Sequence, residues 1–278
     1  MSNAYSVGDH AVMQGIASYN ELEKTRNLIH EKLEEWYGIY FPELRLSNQL
    51  SYARFVMEFG ANKKDATKER LDEVLGGNGE SVLNSIQRSI GKEPSEQEYQ
   101  MLRGLAEQEL SMAKELESLD KYLEKSVKEL MPNISYLVEY KIAAELLGKA
   151  GSLQKLSIMP SGTIQLLGAE KALFKHIKFG SKPPKYGVLY KLPQIGTAGR
   201  GVRGKIARVY ATKIAIAARA DAITKNFIAE GLKAQLDKAI ERINSAPVKY
   251  KKEESRDDRS FKGNRNFRGR NRGYRGRR

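Results

Sequence analysis

The sequence contains no cysteine and only three histidines, which are scattered between positions 10 and 176. The absence of cysteine excludes disulfides, thiolate nucleophiles and cysteine-based zinc or iron–sulfur sites. No apolar run approaches the roughly 20 residues that a membrane-spanning helix needs. Residues 1–9 also lack the basic start and apolar core of a secretory signal. We therefore expect an intracellular protein without a metal, a cofactor or contact with a membrane.

Charge is distributed unevenly along the chain. Residues 1–131 carry a net charge of −7, residues 132–247 carry +12 and residues 248–278 carry +9. Such a basic half is typical of proteins that bind a polyanion such as RNA. We therefore predict that the second half and the C-terminal segment contact nucleic acid, whereas the acidic first half does not.

Two long amphipathic helices are predicted in the first half. Over residues 10–40, apolar residues recur at steps of three, four and seven. A second helix is predicted over residues 95–131, where Ser95 and Glu98 have the spacing of a capping box. Because neither helix is apolar all round, we expect them to pair as an antiparallel coiled-coil arm over residues 10–131.

The segment between the two helices, residues 42–94, is predicted to form short helices broken by glycine and proline. Its apolar content exceeds what a turn needs, so we expect a compact helical tip at the end of the arm. Such a tip can bury apolar surface against a second copy of the chain. Phe55 and Phe59 are the predicted dimerisation residues. Residues 1–9, ahead of the arm, are predicted to form a short N-terminal extension.

Residues 132–247 are predicted to form a second, helical domain. The main predicted helices cover residues 137–150, 168–179, 205–221 and 226–243. The predicted loops cover residues 148–162, 180–187 and 193–204. The strand candidate at residues 188–190 is too short to build a sheet, so the fold class is predicted to be all-α. Residues 248–278 have the composition of a disordered basic tail.

A glycine-rich segment at residues 199–205 matches nucleotide-binding patterns by letter only. Ile206 stands where a P-loop has serine or threonine, and no buried strand precedes the segment. We interpret it as a flexible loop that brings Arg200 and Arg203 to a helix N-terminus, where backbone amides favour phosphate.

No set of catalytic residues is recognisable in the sequence. His176 lies between lysines on a surface helix and is expected to be structural or solvent-facing. Glu170 and Asp221 are interpreted as partners of helix ends or of basic side chains rather than as an acid–base pair. We therefore predict that the protein is not an enzyme.

Basic side chains follow one face of each of two predicted helices and continue in the adjacent loops. On helix 168–179 three lysines line up on the outer face, while Leu173 and Ile177 are expected to face inward. Two such faces together favour a phosphate-contacting patch over a merely solvated surface. The predicted RNA-binding residues are Lys171, Lys175, Lys178, Lys182, Lys185, Arg200, Arg203, Lys205, Arg208 and Arg219.

The tail combines arginine, glycine and regularly spaced aromatic residues. Arginine supplies phosphate contacts and planar stacking, and aromatic rings stack on bases with little sequence preference. The residues predicted to bind RNA in the tail are Phe267, Arg268, Arg270, Arg272, Tyr274 and Arg275.

Several motifs resemble a known family. PSGTIQLLGAEKALF, PKYGVLY, RGKIAR and AIAARAD, which begin at positions 160, 184, 203 and 215, resemble the Nop domain. The arm, with EWYG at position 35 and FPEL at position 41, is similar to the coiled coil of the archaeal Nop core proteins of box C/D small ribonucleoproteins. The resemblance covers about residues 10–247.

The resemblance implies an RNA-binding scaffold. In this family the coiled coil dimerises through its tip, here with a second copy or with another Nop protein. The Nop domain recognises a kink-turn guide RNA together with the small protein that binds the kink-turn. The family's RNA-facing motifs add Gly168 and Ala169 to the predicted RNA-binding residues. A separate subunit carries out the guide-directed 2'-O-methylation that the scaffold supports.

The archaeal members also carry an N-terminal domain that docks the methyltransferase fibrillarin. Residues 1–9 are too short to form such a domain, so fibrillarin is expected to be contacted only indirectly or through a separate chain. The expected location is the cytoplasm of an archaeon, or the nucleus or nucleolus of a eukaryote.

Three alternatives remain open from the sequence. The first is a Nop-domain RNA binder outside methylation, similar to the splicing factor of this family or competing with a full-length core protein. The second is an RNA-modifying enzyme, against which the lack of a cofactor loop argues. The third is a coiled-coil interaction protein whose basic tail is incidental.

Overall fold

The computed structural model describes residues 7–245, and the predicted RNA-binding residues of the tail lie outside this range. Within residues 7–245 the chain forms helices and connecting loops without any β-strand, which confirms the all-α class. None of the helices in this range is long and apolar enough to cross a membrane.

The first half forms a long arm with a helical tip. Its five helices are α1 (Val7–Tyr37), α2 (Gln49–Phe59), α3 (Lys68–Leu75), α4 (Gly79–Arg88) and α5 (Glu96–Leu130). The predicted capping box is confirmed, because the backbone N–H of Ser95 donates to the Glu98 carboxylate at 2.8 Å and the Glu98 N–H donates to the Ser95 hydroxyl at 3.4 Å. α1 and α5 are antiparallel, since α1 packs with its residue 15 near position 123 and its residue 30 near position 109 of α5.

The tip encloses a hydrophobic core of its own. Phe55 is 0% exposed and Phe59 is 2% exposed. Their ring centroids lie 5.5 Å apart, and the Phe41 ring lies 5.7 Å from that of Phe55. The expectation that Phe55 and Phe59 face a second copy is thereby corrected: both fill the interior of the tip, because the short helices α2 to α4 fold their apolar faces onto the end of the arm.

The second half contains more short helices than its sequence predicts. They are α6 (Pro132–Leu137), α7 (Tyr140–Ala150), α8 (Leu153–Ile158), α9 (Ser161–Leu166), α10 (Glu170–Phe179), α11 (Pro193–Gly196), α12 (Arg203–Arg219) and α13 (Ala229–Ser245). The predicted loop 148–162 therefore holds α8 and the start of α9, and the predicted loop 193–204 holds α11. The strand candidate lies in a 3₁₀ turn, Val188–Lys191. Segments of four to six residues are too short for a helical period to be visible in the sequence.

The base of the arm and the second half share one hydrophobic core. α12 lies at its centre, with Tyr210 and Ile214 buried among small alanines that permit close helix packing. Val12 of α1 and Leu123 of α5 belong to the same core. The arm is also attached through Asp9, whose carboxylate accepts a hydrogen bond from the backbone of α8 at 3.0 Å.

A buried carboxylate fixes the start of α6. Asp221, which is 1% exposed, accepts hydrogen bonds from the backbone N–H groups of Asn133 and Ile134 at 2.9 and 3.0 Å. The side-chain amide of Asn133 donates to the same carboxylate at 2.7 Å. Burial raises the pKa of Asp221, and these hydrogen bonds act in the opposite direction. The interpretation of Asp221 as a helix-end partner is thus confirmed.

Candidate nucleic-acid interface

The chain leaves the domain core after α9, forms α10 and returns to its point of departure. The backbone N–H of Gly187 donates to the Gln165 carbonyl at 3.0 Å, and that of Val188 donates to the Leu167 carbonyl at 2.7 Å. A side chain at position 187 would force these two backbone segments apart, because a Cβ there would lie 1.8 Å from the Leu167 carbonyl oxygen. The two hydrogen bonds therefore fix the base of a protruding segment that carries α10.

Gln165 ties this base to the start of α12. Its side chain is 8% exposed, and its amide nitrogen donates to the Lys185 carbonyl at 2.6 Å and approaches the Gly204 carbonyl at 3.5 Å. Gln165 therefore holds the loop that carries Lys185 beside the first turn of α12. It was not among the predicted site residues, although a glutamine within the apolar run Ile164–Leu167 is the kind of signal that marks a buried polar contact.

A groove of about 670 Å³ opens between the loop at residues 183–185, the loop at residues 200–201, the start of α12 and the end of α13. We call it the basic groove. It contains four of the predicted RNA-binding residues, Lys185, Arg200, Lys205 and Arg208, from three separate segments. The residues that line it are Gln165, Pro183, Pro184, Lys185, Arg200, Gly201, Gly204, Lys205, Arg208, Val209 and Ile243.

The cations of the basic groove have no carboxylate partner within residues 7–245. None of the residues that line the groove is acidic, and none of its four cations forms a salt bridge with another described residue. The first turn of α12 also carries no acidic residue, so the positive end of the helix dipole adds to the field. Among residues 7–245, the groove thus keeps its positive charge and can accept an anion.

Two of the predicted RNA-binding residues are used elsewhere in the fold. The guanidinium of Arg203 donates to the carbonyls of Ala198 and Gly196 at 2.8 and 2.9 Å and lies 5.5 Å from the Tyr190 ring centroid. It therefore shapes the loop that presents Arg200. Arg219 lies at the far end of α12, where its guanidinium donates to the Ser157 carbonyl at 3.3 Å. The sequence places both arginines on the predicted patch, but the structure turns the first inward and separates the second from the groove by about 20 Å of helix.

The helix α10 protrudes and buries none of its residues. Its three lysines, at positions 171, 175 and 178, follow one exposed stripe, as predicted. The expectation that Ile177 faces inward is wrong. Phe174, Ile177 and Phe179 are each 71% exposed, because no other element of residues 7–245 covers their side chains. α10 therefore presents a basic stripe beside an apolar one.

The turn into α10 is built from Gly168 and Ala169. Gly168 has a φ of 87°, and its Cα lies so close to Val188 that a Cβ would approach the valine side chain to 2.7 Å. Its backbone N–H donates to the Glu170 carboxylate at 2.6 Å, which lowers the pKa of Glu170 and confirms Glu170 as a helix-end partner. Gly168 and Ala169 therefore act here by setting the direction of α10.

The remaining predicted residues lie near these two surfaces without joining them. Lys182 is exposed in the loop that leads from α10 to the groove. His176 is half-buried and its Nδ1 contacts the Ser181 carbonyl, so it closes the end of α10, as expected of a structural histidine. No cluster of metal-binding side chains is found in the described part of the chain.

Curated relatives are similar to most of this chain. An uncharacterized NOP5 family protein of Methanocaldococcus jannaschii is 40% identical over 238 residues, which cover 84% of this chain and 57% of the relative. Nucleolar protein 58 of Scheffersomyces stipitis is 38% identical over 220 residues, which cover 78% of this chain and 42% of the relative. The chain thus spans about half the length of the relatives it matches.

A solved structure and a family model agree with these relatives. The crystal structure of a fibrillarin/Nop5p complex aligns with 84% of this chain and 69% of its own, at a TM-score of 0.52 and 21% identity, which supports the fold. The family model Nop, described as "snoRNA binding domain, fibrillarin", matches residues 18–242. This match covers most of the arm as well as the basic groove and α10, and the chain therefore belongs to the Nop family.

Proposed function

We propose that this chain is the RNA-binding scaffold of a box C/D-type ribonucleoprotein. It holds a kink-turn RNA together with the small protein bound to that RNA, and it supports 2'-O-methylation by a separate subunit without catalysis of its own. The proposal rests on one observation. The basic groove, whose cations have no carboxylate partner within residues 7–245, lies beside the protruding helix α10, which carries an exposed apolar stripe.

The basic groove suits the backbone of a bent RNA. Its four cations come from three segments of chain, so they surround a volume instead of forming a line. Phosphate contacts of this kind position a protein on RNA and release counterions. A sharply bent RNA brings phosphates from both of its arms close together, which is the arrangement that a concave cluster of cations can satisfy.

The apolar stripe of α10 indicates that RNA alone is an incomplete ligand. The phosphate backbone offers no apolar surface to Phe174 and Ile177, whereas a protein bound to the RNA does. The lysine stripe of the same helix lies next to these residues, so α10 suits the boundary between an RNA and its protein. The binding site is therefore composite: the basic groove contacts the RNA, and α10 contacts both the RNA and the small protein.

Reversal of one charge on each surface tests the composite site. Each phosphate contact contributes on the order of 1 kcal/mol at modest salt. The variant Lys171→Glu with Arg208→Glu should therefore lose more than tenfold in affinity for kink-turn RNA preloaded with its small protein, measured by fluorescence anisotropy. Helical content should not change. Tight binding by this variant would contradict the proposal.

Removal of the apolar stripe separates the two components of the site. The variant Phe174→Ser with Ile177→Ser should abolish the preference for preloaded over bare RNA while it leaves the affinity for bare RNA within about twofold. Ile158→Ser with Ile223→Ser is the matched control, since Ile158 and Ile223 are 75% and 66% exposed and lie outside both surfaces. Equal affinity of the unaltered chain for bare and preloaded RNA would leave only a generic basic surface.

The arm of the scaffold is proposed to dimerise, with a second copy or with another Nop protein, through the outer surface of its tip. Ile39 and Ile90 are 68% and 87% exposed. Lys63 joins the two segments that follow Ile39 and Ile90, since its ammonium donates to the Tyr40 and Gly91 carbonyls at 2.7 Å each. Light scattering should report twice the monomer mass, and Ile90→Glu should lower it. A strictly monomeric chain at tens of micromolar would contradict a homodimer.

A further inference from the structure

The end of α13 lies at the mouth of the basic groove. α12 and α13 are antiparallel: Lys213 donates to Gln235 at 2.6 Å, and Ile243, eight residues further along α13, lines the groove beside Lys205. The last described residue, Ser245, is therefore within one helical turn of the groove. The remaining 33 residues of the chain start from this point.

The first part of that remaining chain is the only part of it that carries acidic residues. All four carboxylates of residues 246–278 fall within residues 253–258, a stretch with one arginine and a net charge of −3. The twenty residues that follow contain nine lysines and arginines and no acidic residue. The acidic stretch therefore separates the groove from the arginine-rich end of the tail.

We propose that the acidic stretch 253–258 docks in the basic groove and competes there with RNA phosphate, as an autoinhibitory contact built into the chain. This inference rests on the proposed RNA-binding role of the groove. The occupant has the charge that the groove lacks: the groove holds four cations without a carboxylate partner among the described residues, and the stretch supplies four carboxylates.

The length of the connecting chain permits this contact. Glu253 follows Ser245, the last residue of α13, by eight positions, and an extended chain of that length spans up to about 28 Å. Since Ile243 itself lines the groove, the acidic stretch can reach every cation in it. A short tether of this kind gives an effective concentration in the millimolar range, at which a weak ionic contact is substantially occupied.

The competition favours the complete ligand over other RNAs. An RNA that uses only the groove must displace the acidic stretch. Its apparent affinity is its intrinsic affinity multiplied by the fraction of molecules whose groove is open. A kink-turn RNA with its protein has further contacts on α10, which the stretch does not touch. The contact therefore lowers binding to generic RNA more than binding to the preloaded complex.

Neutralisation of the acidic stretch in the full chain tests this proposal. The variant carries Glu253→Gln, Glu254→Gln, Asp257→Asn and Asp258→Asn. It should bind a single-stranded RNA without a kink-turn about threefold to tenfold more tightly at about 50 mM salt, and the gain should shrink at about 300 mM salt. In a chain that also carries Lys205→Glu and Arg208→Glu, the same neutralisation should have almost no effect, because the docking site is gone.

A control variant removes the same number of charges far from the groove. Its substitutions lie at exposed arm and tip positions that form no ion pair among the described residues, and they are Glu31→Gln, Glu69→Gln, Glu73→Gln and Glu115→Gln. This control should change RNA affinity by less than about twofold, since none of these positions lines the groove. An equal gain in both variants would overturn the proposal.

Direct cross-linking locates the acidic stretch independently of RNA binding. A carbodiimide joins carboxylates to amines in contact, so the free chain should give cross-links from residues 253–258 to Lys185 and Lys205, and saturating RNA should remove them. Absence of these cross-links would also overturn the proposal.

The outcomes distinguish this inference from the proposed function. If Lys205→Glu with Arg208→Glu weakens RNA binding but neutralisation of the acidic stretch has no effect, only this inference fails. If that reversal leaves RNA binding unchanged, the proposed function fails, and the cross-links still report where the stretch lies.

Discussion

The arm and the basic groove use charged side chains in opposite ways. On α5, cations pair with acids one turn away: Lys121 with Glu117 at 2.6 Å and Lys128 with Glu124 at 2.6 Å. In the basic groove, no cation has such a partner within residues 7–245. Pairs within one helix neutralise each other and leave little field at a distance, whereas unpaired cations around a cavity focus it. The arrangement of charge, more than its amount, therefore identifies the surface that meets a polyanion.

The arm is expected to depend on its apolar core and not on its charges. Phe55→Ala leaves a cavity among the aromatic rings of the tip, so it should lower the free energy of unfolding by about 3–5 kcal/mol, measured by urea denaturation with circular dichroism. Met101→Ala, at a 59% exposed position of α5 near the tip, is the control and should change it by less than about 0.5 kcal/mol. Equal effects of the two substitutions would mean that Phe55 is not part of a closed core.

The basic groove, by contrast, is expected to depend on its charges. Lys205→Glu with Arg208→Glu should weaken RNA binding by about 10- to 100-fold at low salt, because two phosphate contacts are replaced by two repulsions. The control is Lys121→Glu with Lys128→Glu, which makes the same change in net charge on the arm. It should alter RNA affinity by less than about twofold. Similar losses in both variants would show that the net charge of the chain, and not its position, determines RNA affinity.

Deletion of residues 259–278, which leaves the acidic stretch in place, should have a smaller and less selective effect. The segment carries a net charge of +9, so its removal should weaken binding to all RNAs by a similar factor of about three to ten and lower the salt dependence of binding. Titrations of kink-turn and unstructured RNA at several salt concentrations measure both quantities. Loss of the preference for kink-turn RNA after the deletion would place selectivity in the tail instead of in the groove and α10.

The long elements of the fold were predictable because their signals are local. The period of apolar residues indicates α1, α5, α12 and α13, and the Ser95–Glu98 spacing indicates where α5 begins. The same period does not show whether a partner covers a face. It therefore predicted a buried Ile177 on α10, whereas no element in the described part of the chain covers that side chain.

The candidate site was only partly predictable because its geometry is not local. Composition and spacing identify the cations, but they do not show that Lys185 and Arg208 meet across one groove. They also do not distinguish Arg200 from Arg203. Arg200 lines the groove, whereas the guanidinium of Arg203 donates to carbonyls of the preceding loop. In the tip, apolar content indicates buried surface, yet only the packing of α2 to α4 shows that Phe55 lies inside it.

The smallest expected effect comes from the paired charges of the arm themselves. Lys121 and Lys128 are both exposed on α5, so water screens their contacts with Glu117 and Glu124, and each lysine loses side-chain freedom to make them. Lys121→Ala with Lys128→Ala should therefore move the melting temperature by no more than about 2 °C, partly because alanine is an equally good helix former. RNA affinity should also stay within about twofold, since the removed cations were already neutralised within their own helix. If the double variant instead lost RNA affinity as strongly as Lys205→Glu with Arg208→Glu, the acidic arm would contribute to the RNA-binding surface, and paired and unpaired charges would no longer mark two different roles.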